Sequence, residues 1–331
     1  MKLVERIDTM CELGRYLESN PVEWQDAKQK AFESNAWFTH EFIELATKNI
    51  IQGFLQKNNL TSWTNHYYLD DNINASNVGI VMAGNIPMVG FHDLLSVFIS
   101  GHRQTIKLSS KDEVLIKHII QALFSIAPAA QPYFTLSEML KGCDAYIATG
   151  SNNSARYFDQ YFGKYPNIIR RNRTSVALLE GNESDQQLSR LADDVHLYFG
   201  LGCRNVTKLF VPEKYDFTPL LSAFKKYHYL ADHAKYKNNY DYYLALQIMN
   251  NRYYMTNDSI ILTEDKQPFS AISLLHYSYY NDIQSLREEL KTDTNIQCII
   301  GVGETDFGES QKPGLFTYAD GIDTMQFLLS L

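Results

Sequence analysis

Short β-type runs alternate with amphipathic helical runs between residues 77 and 180, and this alternation limits the folds open to the chain. The strand-like runs are NVGIVMAG, QTIKLS, DAYIATG and TSVALLE, and helical runs with apolar residues at three- and four-residue steps separate them. Strands that are joined through helices by short links lie parallel in one sheet, with helices on both faces. The sequence therefore predicts an α/β fold built on a parallel sheet.

A helical segment and a second α/β region flank this core. The first 75 or so residues carry apolar residues at helical spacing, as in VEWQDAKQKAFESNAWFTHEFIELATKNIIQGFL. After Glu180 the alternation restarts with a helical run, the strand-like run RNVTKLFVP, a Tyr-rich helical stretch and three more strand-like runs. This restart predicts a second α/β unit that begins near Glu180.

Charge and hydropathy narrow the functions open to the chain. It has 331 residues and a formal net charge of -8, so a nucleic-acid-binding face is not expected. The most basic stretch, IIRRNR at residues 168–173, is interpreted as a solvated turn. No uncharged apolar run is long enough to predict a membrane span, and the charged N-terminus is not typical of a signal peptide.

The cysteines are widely spaced and form no metal-binding motif, so neither a metal site nor a disulfide framework is expected. A reducing cytoplasm is then the expected location. Three of the four cysteines lie in apolar or amphipathic runs and are interpreted as packing residues. These three are Cys11, Cys143 and Cys298.

Cys203 differs from the other cysteines because it lies in FGLGCRNVTKLFVP, between two glycines and a strand-like run. Gly200 and Gly202 let the backbone bend and leave the sulfur open to a substrate, and the thiolate is the reactive form of cysteine. The nearest histidine in the sequence is His196. A nucleophile activated by a histidine and a small apolar filler are both compatible with this pattern.

Polar residues also follow the ends of predicted strands, where ligands bind in open α/β sheets. Asn85 could donate a hydrogen bond to an oxyanion or only tighten a turn. Ser151, which follows Gly150, is placed to cap the next helix. The first N–H groups of that helix suit a phosphate, although many strand–helix turns have this form. Glu180 could act as a general base or serve as a turn residue.

Lys107 lies within the apolar strand-like run QTIKLS. A lysine on a buried strand needs a partner such as a ribose hydroxyl or a phosphate. The alternative is an edge-strand lysine that discourages aggregation.

In this order, the strand-end residues and the cysteine resemble the aldehyde dehydrogenase superfamily. The stretches AGNIPMVGFHDLL, IKLSSKD, RTSVALLEGNES, FGLGCRNVTKLFVP and FGESQKPGLFTYADGIDTMQFLLSL are similar to those of LuxC-type acyl-CoA reductases, which include the fatty-acid reductase of bacterial luminescence operons. The resemblance begins near Val78 and continues to the C-terminus. It implies an aldehyde-dehydrogenase-like α/β fold. The expected parts are a helical N-terminal segment (1–75), a Rossmann-type dinucleotide-binding domain (76–180), a catalytic cysteine domain (181–302) and a C-terminal segment that returns to the cofactor domain (303–331).

The resemblance also implies which residues bind the cofactor. Lys107 falls at the position that contacts a cofactor ribose, and Gly150 and Ser151 fall where the pyrophosphate lies against a helix start. Ser110 falls where NAD-preferring relatives tend to carry Glu. An uncharged residue followed by Lys111 suits a 2′-phosphate, so NADPH is the expected cofactor and NADH the alternative.

The same resemblance implies an activity. Cys203 falls at the nucleophile position, Asn85 at the oxyanion position and Glu180 at the general-base position. The expected reaction is NADPH-dependent reduction of an acyl thioester, either an acyl-CoA or an acyl carrier, to an aldehyde through a cysteine acyl-enzyme. A cysteine acyltransferase or thioesterase, a non-catalytic superfamily member and a reductase of acyl phosphates remain alternatives. A homo-oligomer or a partner acyltransferase is also compatible with the resemblance.

Overall fold

The computed structural model describes residues 1–72 and 74–331, which form two compact units. Unit 1 comprises residues 1–172 and 312–331, and unit 2 comprises residues 173–311. The boundary therefore precedes the run TSVALLE instead of following it at Glu180. The reason is that this strand pairs with two strands of unit 2.

The ends of the chain also divide differently from the prediction. The N-terminal helices are part of unit 1, because the first two of them pack on a helix of its α/β core. Residues 303–311 stay with unit 2, where the N–H groups of Gly308 and Ser310 donate to the buried carboxylate of Asp194 at 2.7 and 3.1 Å. The C-terminal segment joins unit 1 only from Lys312 onward.

Unit 1 consists of four helices, an alternating strand–helix core and a C-terminal helix over Thr324–Leu329. Three of the core strands and all of its three helices lie where the sequence pattern predicts them, whereas β3 and β5 are additional. The elements are α1 (Leu3–Ser19), α2 (Val22–Ser34), α3 (His40–Gly53), α4 (Lys57–His66), β1 (Asn77–Val81), α5 (Phe91–Ile99), β2 (Arg103–Lys107), α6 (Glu113–Ile126), β3 (Phe134–Leu136), β4 (Ala145–Thr149), α7 (Asn152–Phe162) and β5 (Asn167–Arg170).

The five strands of unit 1 form a parallel sheet in the order β3-β2-β1-β4-β5. Its central strands carry fully buried Ile80, Ile106 and Ile147, as expected for a sheet covered on both faces. The strand order reverses at β1, so a crevice is expected outside the carboxyl ends of β1 and β4. This is the place where doubly wound sheets bind ligands.

The basic stretch at residues 168–173 is not a solvated turn, because it begins on strand β5. The guanidinium of Arg170 is buried and donates to both carboxylate oxygens of Asp93, at 2.5 and 2.9 Å, and to Oγ1 of Thr324 at 2.9 Å. By contrast, Arg171 is exposed and pairs with Asp159 at the surface. The cluster is therefore divided between a buried ion pair and the solvent.

We predict that Arg170→Ala lowers the free energy of unfolding by about 3–5 kcal/mol, because Asp93 would remain buried without its partner. The matched variant Arg171→Ala removes only an exposed ion pair and should cost at most about 1 kcal/mol. Urea unfolding of the two variants measures the difference. Equal losses would contradict a stabilising role for the buried pair.

Unit 2 repeats the alternation of strands and helices. The helix before β7, the Tyr-rich helical stretch and the later strands agree with the sequence pattern. The elements are β6 (Thr174–Leu178), α8 (Asp185–His196), β7 (Val206–Pro212), α9 (Thr218–Phe224), α10 (Ala234–Met249), β8 (Met255–Thr256), β9 (Ile261–Glu264), β10 (Leu274–Tyr280), α11 (Ile283–Thr292) and β11 (Ile296–Ile300). Within the described ranges, none of the helices has the length and apolar character of a membrane span.

The sheet of unit 2 has the order β11-β6-β7-β10-β9-β8, and only the short strand β8 runs antiparallel to its neighbour. Strand β6 is paired irregularly on both sides. Towards β7, the partners of Ser175 and Val176 are Val206 and Lys208, and towards β11 the partners of Thr174 and Val176 are Ile296 and Ile299. Each neighbouring strand therefore inserts one extra residue, a β-bulge, beside Ser175.

Candidate functional site

The carboxyl ends of β1, β2 and β4 gather the predicted cofactor residues of unit 1. Lys107 is the exposed last residue of β2, and the register pairs it with Val81, the last residue of β1. Asn85 lies partly buried in the turn after β1, and Gly150 and Ser151 follow β4. Because parallel strands end at the same edge of a sheet, these residues share one edge.

The start of helix α7 offers N–H groups at that edge. The side chain of Ser151 caps the helix by accepting from the N–H of Ser154 at 3.2 Å. Helix geometry leaves the N–H groups of Asn152 and Asn153 without partners inside the helix. A Cβ at Gly150 would lie 2.9 Å from the Cβ of Ser154, so glycine lets the helix begin close to the strand. Such a helix start suits the phosphates of a dinucleotide.

The turn after β2 carries the residues expected to choose between cofactors. Ser110 and Lys111 are both exposed there, and the N–H of Lys111 donates to Oγ of Ser109 at 3.3 Å. The turn therefore presents an uncharged residue and a cation beside Lys107. A cationic side chain at this position can contact an anionic group.

Asp112 supports the turn that holds Asn85, a role that was not predicted from the sequence. Its buried carboxylate accepts the N–H of Met88 at 2.6 Å, and Met88 has a left-handed backbone with φ +56°. Burial raises the pKa of Asp112 well above its usual range. An Asp before a helix normally suggests a cap, but this side chain makes no capping bond to α6. Its partner lies in a distant loop that no local pattern indicates.

In unit 2, Cys203 lies partly buried in the turn that precedes β7. The chain reaches this turn through three consecutive residues with left-handed backbone: Tyr198 (φ 55°), Phe199 (φ 57°) and Gly200 (φ 73°). This conformation costs non-glycine residues free energy, and such residues concentrate at functional sites. Gly200 adopts it without that cost, which explains the glycine before the cysteine.

Asn205 fastens the Cys203 turn to the end of helix α8. The residue is fully buried, and its Oδ1 accepts the N–H of Gly202 at 2.8 Å. Its Nδ2 donates to the carbonyl oxygens of Leu197 at 2.9 Å and Asp194 at 3.1 Å, which satisfies acceptors at the helix terminus. Asn205 was not predicted from the sequence, because a single Asn after a cysteine carries no signal of these contacts.

Ser175 holds the other side of the same turn. Its hydroxyl, on the buried strand β6, donates to the carbonyl oxygen of Cys203 at 3.0 Å and lies 2.9 Å from Sγ of Cys298. The interpretation of Cys298 as a packing residue is therefore incomplete. Its thiol is hydrogen-bonded to a residue that contacts the candidate nucleophile.

His196 is not placed to activate Cys203. Its Nδ1 donates to the carbonyl oxygen of Ala192 at 2.8 Å, and its ring stacks on Tyr227 with centroids 4.9 Å apart. Its Nε2 is buried and has no hydrogen-bond partner within residues 1–72 and 74–331. Burial lowers the pKa of His196 to about 4, so the ring is neutral at physiological pH. The two ring nitrogens thus do not form a dyad with Cys203.

We predict that His196 makes folding stability pH-dependent. The pKa of His196 is about 6.5 in the unfolded chain and about 4 in the folded one. As the pH falls from about 6.5 toward 4, the unfolded state therefore binds a proton that the folded state does not. The stabilisation is complete above that unfolded pKa and is lost as the pH falls through the folded one. From pH 7 to 4, the wild type should lose about 3 kcal/mol more unfolding free energy than His196→Phe, measured by urea unfolding. Parallel pH profiles would contradict this.

Glu180 lies at the far end of β6 from the Cys203 turn. The Cys203 turn meets β6 at Ser175, near the start of the strand, whereas Glu180 follows its carboxyl end. A strand rise of about 3.3 Å per residue puts about 16 Å between Ser175 and Glu180. Glu180 is exposed and lines a surface cavity of about 480 Å³ with Glu183 and Lys214. The structure therefore does not bring the predicted base to the predicted nucleophile.

The chain is similar in structure to several aldehyde dehydrogenases. It matches aldehyde dehydrogenase 21 of Physcomitrella patens in complex with the reaction product succinate, with TM-score 0.67 and 12% identity over 91% of this chain and 74% of that chain. The match to a mutant aldehyde dehydrogenase of Bacillus cereus has a TM-score of 0.66 and 12% sequence identity, and it covers 91% of this chain and 72% of that chain. A third match is succinic semialdehyde dehydrogenase of Streptococcus pyogenes in complex with NADP⁺ as the cofactor. Its TM-score is 0.62 and its sequence identity 12%, and the match covers 90% of this chain and 76% of that chain.

The fold is that of the aldehyde dehydrogenases. The predicted fold class, with a Rossmann-type sheet and a second α/β unit, is confirmed. No protein-family model and no curated protein matches the chain significantly. At 12% identity the structural likeness shows the fold alone, and the LuxC-type resemblance stays a prediction.

Proposed function

We propose that this protein reduces an acyl thioester to an aldehyde, with Cys203 as nucleophile and NADPH as hydride donor. The observation that favours this reaction is the position of Glu180, which follows the carboxyl end of β6, about 16 Å from Ser175, the residue that holds the Cys203 turn. Aldehyde oxidation ends with hydrolysis of the acyl-enzyme, for which a general base must activate water. Thioester reduction needs no such base, because the acyl group leaves as an aldehyde.

In the first half-reaction, the thiolate of Cys203 attacks the thioester carbonyl carbon. The C–S bond to CoA, or to a carrier thiol, then breaks, and the departing sulfur keeps the electron pair. Asn85, which the sequence resemblance puts at the oxyanion position, is the proposed donor to the oxyanion that forms during the attack. The hydrogen bonds of Asn205 and Ser175 hold the turn and so orient the nucleophile.

In the second half-reaction, NADPH, when bound, supplies a hydride to the acyl carbonyl carbon. Cys203 then departs as a thiolate, and the aldehyde is released. Lys107 would contact a cofactor ribose, Ser110 and Lys111 would receive the 2′-phosphate, and the α7 start at Ser151 would receive the pyrophosphate. Solved structures with this fold include complexes with NAD⁺ and with NADP⁺, so the fold itself accepts either cofactor.

A panel of acyl-CoAs of different chain length, with and without NADPH, tests the reaction. We expect NADPH oxidation coupled to CoA release, and loss of both in Cys203→Ala. In the matched variant Glu180→Gln, both rates should stay within about twofold, because a base at that distance cannot reach the acyl-enzyme.

Other outcomes of the same panel point to other functions. CoA release without NADPH oxidation would indicate an acyltransferase or thioesterase. Faster oxidation of aldehydes than reduction of thioesters, together with a large loss in Glu180→Gln, would contradict the proposed reaction. A Cys203→Ala protein that still forms an acyl-enzyme would remove the nucleophile assignment.

Asn85→Ala should slow acylation of Cys203 by about 10²–10³-fold, because one oxyanion donor is lost. The dissociation constant for NADPH should stay unchanged, since Asn85 acts on the substrate. Single-turnover acylation and fluorescence titration with NADPH measure the two effects separately. A decrease of less than about threefold would exclude Asn85 from the oxyanion site.

Ser110→Glu should weaken NADPH binding by at least about tenfold, because the new carboxylate would repel a 2′-phosphate. NADH lacks that phosphate and serves as the internal control, so its affinity should change little. Titration of the wild type and the variant with both cofactors gives the comparison. An equal change for both would refute the assignment of the 2′-phosphate to this turn.

A further inference from the structure

A hydrogen-bonded chain of side chains leads from strand β11 to the carbonyl group of Cys203. Oγ of Ser175 lies 3.0 Å from the carbonyl oxygen of Cys203 and 2.9 Å from Sγ of Cys298. Ser175 is fully buried, so solvent does not compete for its hydroxyl. The three residues come from different parts of unit 2, and only the folded chain brings them together.

The donor and the acceptor of each hydrogen bond in this series follow from the single proton of the Ser175 hydroxyl. A carbonyl oxygen can only accept, so the Ser175 hydroxyl donates to Cys203 and the Cys298 thiol must donate to Ser175. Burial raises the pKa of Cys298, although Ser175 and the side chain of Arg204 act in the opposite direction. The thiol therefore remains protonated and able to donate.

Two backbone irregularities surround this contact. Strand β11 inserts an extra residue between Ile296 and Ile299, the interval that contains Cys298. Strand β7 inserts another between Val206 and Lys208, just after the Cys203 turn. A β-bulge re-aims the side chains of its strand and is common beside active sites. The bulge on β11 thus accounts for the orientation of a thiol toward Ser175.

We propose that Cys298 and Ser175 are positioning residues for Cys203, acting by fixing the peptide carbonyl of the nucleophile. This inference rests on the proposed function, in which Cys203 is acylated. A protonated Cys298 holds the Ser175 hydroxyl in one rotamer, and that hydroxyl holds the Cys203 turn. A nucleophile that is held in one orientation attacks a bound substrate faster, because the reacting atoms are already aligned.

The matched variants Cys298→Ala and Cys298→Ser test the chain. Serine keeps a donor for Ser175 at nearly the same size, whereas alanine removes it. In single-turnover reactions with the acyl-CoA that the wild type uses fastest, Cys298→Ala should acylate Cys203 about tenfold more slowly, and Cys298→Ser should recover most of the rate. Alkylation of Cys203 by iodoacetamide, followed by mass spectrometry, should change less than about twofold, because this reagent reacts from solution and is not held by the protein.

Two further variants separate positioning from general damage. Ser175→Ala should slow acylation about as much as Cys298→Ala. The double variant should be no slower than Ser175→Ala alone, because both residues act through the same series of hydrogen bonds. Cys11→Ala removes a thiol that takes no part in these hydrogen bonds and should leave the acylation rate unchanged. Thermal unfolding of every variant shows whether the fold is retained.

Amide hydrogen exchange of the Cys203 turn tests the same chain without any reaction. Exchange should be faster in Cys298→Ala and Ser175→Ala and near the wild-type rate in Cys298→Ser. If acylation and exchange in Cys298→Ala match the wild type, the inference is overturned. If the wild type is not acylated at all, the proposed function fails, and the exchange measurement alone then supports or overturns the positioning chain.

Discussion

Parallel alignment of strands is the constraint on which the arrangement of this protein depends. In unit 1 it carries Asn85, Lys107 and Ser151 to one edge of the sheet, although they are distant in sequence. In unit 2 the same alignment separates Glu180, after the carboxyl end of β6, from Cys203, before the amino end of β7. Parallel alignment thus brings the candidate cofactor-binding residues of unit 1 to one edge of their sheet. In unit 2 it places Glu180 and Cys203 at opposite ends of neighbouring strands.

Buried polar side chains hold the backbone where it departs from regular structure. Asp112 accepts from a left-handed residue in the Asn85 turn, and Asn205 and Ser175 hold the two sides of the Cys203 turn. Inside a protein such groups are costly when unpaired and rigid when paired. These contacts let two irregular turns keep one conformation, which a reaction at a thiol requires.

The hydrophobic periodicity predicted most of the elements, because each helix or long strand shows its buried face locally. It missed β3, which is short and has two exposed residues, and β5, whose basic residues suggested a turn. The error at Arg170 has a clear cause, since its partner Asp93 lies 77 residues away. The interpretation of Cys298 as a packing residue was incomplete for the same reason, because its hydrogen bond to Ser175 spans 123 residues.

The order of residues along the chain was enough to establish an α/β protein with parallel strands and a glycine-flanked cysteine before a strand. Those properties depend on spacing within a few turns or residues, which a sequence displays directly. Which polar groups meet, and which of them stay apart, depended on strand register, two bulges and long-range burial. Register and burial are set by the packing of whole elements against one another, so Ser175, Asn205 and Asp112 emerged as supporting residues only in the folded chain.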